Sequence, residues 1–134
     1  AKYLRSALSQ PEIDAIHQRL TILMKEQRPY TDPDLTLNHL AKALGINPNH
    51  LSQVINTREQ KNFYDLVNQK RVEEFIRLSA TGAGQQYTLL SLAYDCGFNS
   101  KASFNRNFKK HTGHTPSGYL KQQPALREGS SPMQ

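Results

Sequence analysis

The sequence predicts an all-α fold of about seven helices, arranged as two helix-turn-helix subdomains joined by a long connecting helix. Three observations predict it. Apolar residues recur three and four positions apart, the period of a helix with one buried face. No stretch sustains the alternation of a strand, and no Asn-Gly or Asp-Gly dipeptide offers a hairpin turn. One pattern, Leu-Ala followed by a glycine turn, a polar cap and a second amphipathic helix, occurs twice about fifty residues apart.

Each helix has its own start and stop signals. Ser9-Gln10-Pro11-Glu12 has the spacing of a capping box. Behind it Ile13, Ile16, Leu20, Leu23 and Met24 form one stripe, which predicts a first helix from Gln10 to Glu26. Residues 28–34 carry two prolines and read as loop. Thr36 caps a second helix with Leu37, Leu40, Ala41 and Leu44 inward, and Gly45 ends it. Asn47-Pro48 starts a third, with Leu51, Val54 and Ile55 inward. Residues 63–79 form the connecting helix, buried through Phe63, Leu66 and Val67 and then through Val72, Phe75 and Ile76. Residues 80–84 are a glycine-containing break. Thr88 then caps a helix with Leu89, Leu92 and Ala93 inward, running to Gly97. Asn99-Ser100 starts the next, with Phe104 and Phe108 inward and Gly113 at its end. Thr115-Pro116-Ser117 opens a short last helix carrying Tyr119 and Leu120. The expected domains are residues 1–34 (a helix and a linker to an upstream domain), 35–122 (35–62, 63–79 and 87–122 as its three parts) and a disordered tail, 123–134.

The repeat explains its own residue types. Its first copy is Leu40-Ala41, Gly45-Ile46-Asn47, Leu51 and Ile55; its second is Leu92-Ala93, Gly97-Phe98-Asn99, Phe104 and Phe108. The alanine allows two helices to cross closely, the glycine allows the sharp turn, and Ile46 or Phe98 fills the angle between the helices. The second helix of each copy then has one buried face and one polar face, and the major groove of a duplex is wide enough to admit it. The connecting helix is expected to present both to one side of a duplex, where successive groove faces lie ~34 Å apart.

Charge agrees with a polyanionic partner. The net charge is +6, and residues 1–95 hold eleven Lys and Arg against ten Asp and Glu. From Cys96 to Arg127 stand Lys101, Arg106, Lys109, Lys110, Lys121 and Arg127 with no acid. No apolar run approaches the ~20 residues of a membrane-spanning helix, and no signal peptide is evident. The chain begins at Ala1 rather than methionine, which suggests a fragment. Cys96, the lone cysteine, excludes an internal disulfide and fits a cytoplasmic protein. Three other activities are weighed beside duplex binding. One is a thiol- or alkyl-transfer enzyme using Cys96, which is expected instead to be a small buried hydrophobe. Another is a metal site among His17, His39, His50, His111 and His114, of which only the last two are neighbours in sequence. The third is a protein-interaction module built on the first helix. No catalysis, cofactor or metal is expected.

The outward faces supply the candidate site. On the first outer helix they hold Asn49, Ser52, Gln53 and Asn56; on the second, Lys101, Ala102, Asn105 and Arg106. Asn and Gln pair with adenine and Arg with guanine, so Asn49, Ser52, Gln53, Lys101, Asn105 and Arg106 are the expected base contacts. Helix starts and nearby cations give Asn47, Arg58, Lys61, Thr88, Ser100, Lys109 and Lys110 as phosphate contacts. Arg71 is expected to be structural.

From about Leu35 to Gln122 the chain resembles the AraC/XylS family of bacterial transcription regulators. The likeness lies in Leu40-Ala41, Leu44-Gly45-Ile46 and His50-Leu51-Ser52, then in Phe63, Asn68 and Arg71-Val72-Glu73. It is closest in Leu92-Ala93, Cys96-Gly97-Phe98, Ser103-Phe104, Phe108-Lys109-Lys110, Thr112-Gly113, Thr115-Pro116 and Tyr119. The resemblance implies a homeodomain-like arrangement of the helices, base contacts at the positions named above, and activation, less often repression, through RNA polymerase. It also implies an upstream effector domain; residues 51–56 with Asn62-Phe63 are similar to a branch whose upstream part is a membrane-embedded sensor, which would tether the protein. One departure stands out: the glycine usual in the family after the first outer helix is Gln60 here, so residues 57–61 are expected to turn by another route.

Overall fold

A computed structural model describes residues 7–81 and 88–122. Among these are seven α-helices, a single turn of 3-10 helix at Pro29–Thr31, and no strand. They are α1 (Gln10–Gln27), α2 (Leu37–Leu44), α3 (Pro48–Glu59), α4 (Phe63–Ser79), α5 (Leu89–Asp95), α6 (Lys101–Thr112) and α7 (Pro116–Lys121). Part of the break expected at 80–84 and the tail expected from 123 lie outside the described residues.

The start signals work as the sequence implies. Ser9 Oγ accepts from the Glu12 N–H while Glu12 Oε1 accepts from the Ser9 N–H, the latter at 2.8 Å. Thr36, Thr88, Ser100 and Thr115 each accept from a backbone N–H three residues on, and Asn47 Oδ1 accepts from the Asn49 N–H. These bonds satisfy donors that a helix start otherwise leaves open. Asn62 Oδ1 caps α4 through the Asp65 N–H at 2.9 Å.

The chain divides into two compact units at Val67, with α4 contributing to both. In the first unit, Leu20, Met24 and Tyr30 pack with Leu40, Ala41, Leu44, Leu51, Ile55, Phe63, Leu66 and Val67. α1 is therefore built into this core through Leu20 and Met24, while Ile16 and Leu23 of the predicted stripe are half-buried. In the second unit, Val72 and Phe75 pack with Leu92, Ala93, Cys96, Phe98, Phe104 and Phe108. Ala41 and Ala93 have no exposed surface, as a close helix crossing requires. Phe98 is buried in the second unit; its counterpart Ile46 is half-buried against the first core.

Helix ends diverge more from expectation. α5 stops at Asp95 with Cys96 as its cap, two residues before the expected Gly97, whose φ is 111°. Gly45 and Gly113 close α2 and α6 in the left-handed conformation. Gln60 closes α3 in the same conformation, at φ 53°, and its N–H donates to the Asn56 carbonyl. The turn where the resemblance leads one to expect glycine thus keeps glycine's geometry rather than taking another route. A side chain with a Cβ costs ~1–2 kcal/mol there. Gln60→Gly is expected to raise stability by about 1 kcal/mol, because relief of that strain outweighs the added chain entropy of glycine. Urea unfolding of the two chains checks it; an unchanged or lower midpoint contradicts it.

Candidate nucleic-acid interface

In the second unit, packing decides what α6 shows to solvent. Phe104 and Phe108 are buried, and each α-helical residue turns the helix by about 100°, so Ala102 and Arg106 fall on the far face and Asn105 on its flank; Lys101, three residues before Phe104, shares its side at the first turn, and all four are exposed. Lys109 and Lys110 extend that face by another turn and are exposed too. Asn107, a polar residue not singled out in the sequence, is buried beside Phe104 and Phe108. Its Nδ2 donates to the Ser103 carbonyl at 2.9 Å, so it braces α6 from within. Arg71 Nη1 donates to Asn68 Oδ1 at 3.2 Å and the guanidinium stands 6.0 Å from the Phe98 ring centroid.

The first unit treats its outer helix differently. Leu51, Val54 and Ile55 are buried, as expected. But Asn49, Ser52 and Gln53, expected to be exposed, are half-buried; only Asn56 of that set is fully exposed. α1 lies against α3, and the residues leading into it reach Gln53. Gln53 Oε1 accepts from the Leu8 N–H at 3.4 Å. His17 Nε2 lies 2.6 Å from Glu59 Oε2, Arg58 pairs with Asp14, and Arg19 donates to the Leu44 carbonyl. Leu8, Asp14 and His17 are thus neighbours of the candidate site that sequence reasoning missed. Each lies more than forty residues from its partner, so no local spacing signals the contact.

The expected phosphate contacts fall into two kinds. Asn47, Thr88 and Ser100 use a side-chain oxygen to cap their own helices. Each still has a donor to offer, the Asn amide or the hydroxyl hydrogen. Arg58, Lys61, Lys109 and Lys110 are cations, of which Lys61 is half-buried and the other three exposed.

Cys96, the candidate nucleophile, has no exposed surface. Burial pushes its thiol up to about 12 from the ordinary 9.0; the charges of Glu74 and Asp95 push the same way, and Arg77 opposes them. Glu74 is itself buried and holds Arg77 through two bonds, of 3.0 and 2.7 Å. This is the reverse of the electropositive, accessible setting that activates a thiol. The five histidines gather into no metal site: among the described residues no three His, Cys, Asp or Glu side chains are placed to hold an ion. No described helix is long and apolar enough to cross a membrane.

Comparison with known proteins agrees with the helix-turn-helix fold. A sequence profile of helix-turn-helix domains matches residues 40–122. An uncharacterised HTH-type transcriptional regulator of Staphylococcus aureus strain COL is 33% identical over 101 residues, covering 75% of this chain and 13% of that protein. The uncharacterised HTH-type regulator YijO of Escherichia coli K12 is 32% identical over 88 residues, 66% of this chain and 30% of its own length. The chain therefore spans a minor part of these relatives. Among solved structures, the C-terminal domain of AraT, a response regulator from Geobacillus stearothermophilus, superposes with a TM-score of 0.64 at 25% identity, covering 87% of this chain and 88% of that one. The C-terminal domain of the two-component response regulator yesN from Fusobacterium nucleatum gives 0.59 at 25% identity, covering 83% and 98%.

The Cys96 environment carries its own test. The unfolded thiol loses its proton near 9.0 and the folded one near 12, so the neutral thiol favours the folded state. That contribution is complete below the unfolded value and is lost as pH rises through the interval. At about pH 8 a thiol reagent is expected to label the folded chain at least ~100-fold more slowly than the urea-unfolded chain. Labelling at similar rates contradicts the buried assignment.

Proposed function

Because the chain belongs to the AraC/XylS family of DNA-binding transcription regulators, we propose that it reads a bipartite duplex site by inserting α3 and α6 into successive turns of the major groove. The observation that carries this is the repeated division of one helix into a buried apolar side and a polar outer side. Gln53 stands between Leu51 and Ile55 as Arg106 stands between Phe104 and Phe108. Asn49, Ser52 and Gln53 contact bases in one half of the site; Lys101, Asn105 and Arg106 contact them in the other. Arg58, Lys61, Lys109 and Lys110, with the donors of Asn47, Thr88 and Ser100, fix the register on the phosphates. These contacts need no cofactor or metal.

The relatives are longer than this chain, which matches 13% of one and 30% of the other. We take it as the DNA-binding end of a longer regulator whose upstream part senses the signal, as a membrane-embedded sensor that tethers the protein. Activation follows by contact with RNA polymerase.

Selection of binders from random duplexes tests the reading. Two conserved blocks about one helical turn, ~10 base pairs, apart are expected. Arg106→Ala is expected to relax one block and Gln53→Ala the other, each by roughly five- to 150-fold against the preferred base. Affinity is expected to fall steeply with salt as phosphate contacts release counterions. A single block, indifferent to one of the two substitutions, contradicts bipartite reading.

A further inference from the structure

The second unit contains a cavity of about 750 Å³ beside α6, within the ~300–1,000 Å³ usual for small-molecule sites. Its lining separates by chemistry. Leu89 and Leu90 of α5, Phe104 of α6 and Pro116 of α7 supply apolar surface, and Phe104 and Pro116 are buried while the leucines are half-buried. Around this floor stand Lys101, Arg106, Lys109 and Lys110, all exposed. No acid lines the cavity, and among the described residues none of Lys101, Arg106 and Lys109 is held in an ion pair. A phosphate backbone matches the cations and makes no use of the floor. An apolar floor inside a cationic rim suits a molecule with both characters.

We propose that this cavity binds a small amphipathic anion: an anionic head held by Lys101, Arg106 and Lys109, on an aromatic or alkyl body laid against Leu89, Leu90, Phe104 and Pro116. Asn105 and Arg106 line the same cavity, so the occupant covers residues assigned to reading bases. Bound anion and duplex therefore exclude one another at the second unit, a consequence that rests on α6 entering the groove.

Nitrogen-labelled chain titrated with naphthalenesulfonate tests the site without DNA. Saturable amide shifts centred on Leu89, Leu90, Phe104, Asn105 and Ser117 are expected, below about 1 mM probe. Neutral naphthalenesulfonamide, and inorganic sulfate alone, are expected to bind at least about tenfold more weakly, since each lacks half of the match. The double variant Lys101→Gln, Lys109→Gln, at exposed positions that leave the core intact, is expected to weaken the probe at least about fivefold. Shifts spread over the basic residues of both units, equal binding of sulfate, or no saturation overturns the proposal. The anion is then titrated against a selected duplex. Displacement supports the competition; a probe that saturates these amides without displacing the duplex leaves the site standing and removes α6 from the groove.

Discussion

The ring of Phe104 meets three other rings, those of Phe75, Phe98 and Phe108, at centroid separations of 4.8, 5.4 and 5.8 Å. Phe108 adds Phe75 and Tyr119, both at 5.5 Å. Burial of such rings is the largest apolar contribution a core of this size makes, and edge-on contacts add direction to it. Direction is what function needs here. Rotating α6 about its axis by one residue would turn Phe104 outward, so the aromatic cluster fixes which side chains face away. Asn105 and Arg106 are displayed because Phe104 and Phe108 are held, while Lys101 is exposed at the first turn of the helix.

The first unit meets the same constraint with aliphatic side chains and adds a second support. Leu51 and Ile55 seat α3 on Leu40, Ala41 and Leu44, and α1 then lies along α3 with Asp14 on Arg58 and His17 on Glu59. The residues displayed differ accordingly. Asn49, Ser52 and Gln53 are uncharged and half-buried, while their counterparts in the second unit include two exposed cations. Uncharged amides read by hydrogen-bond pattern; cations add attraction to the phosphate field, which acts on any sequence. On the proposed reading, the outer face of α6 therefore contributes more general attraction than that of α3.

The helix starts and cores were legible because their signals are local. A Ser, Thr or Asn cap lies three or fewer residues from the N–H it satisfies, and a buried stripe repeats within a single helix. Gly45 and Gly113 announced their left-handed turns, whereas Gln60 adopts the same conformation with nothing in its side chain to say so. Arg28 does likewise after α1. The partial burial of Gln53 was invisible because its neighbour, Leu8, is forty-five positions away. Asn107 was hidden by its type: an amide reads as surface until a carbonyl one helical turn back, that of Ser103, accounts for it. The exposed residues named on α6 were readable because two phenylalanines mark its buried side; those of α3 were readable only in direction.

Photocrosslinking tests most directly the claim that core burial chooses the face turned to DNA. A photoreactive side chain at position 105, on the outer face of α6, is compared with one at 73, an exposed acid on α4 of the same unit. With a selected duplex, the adduct is expected from position 105 and not from 73. Equal yields from the two positions, or an adduct from 73 alone, would contradict the account.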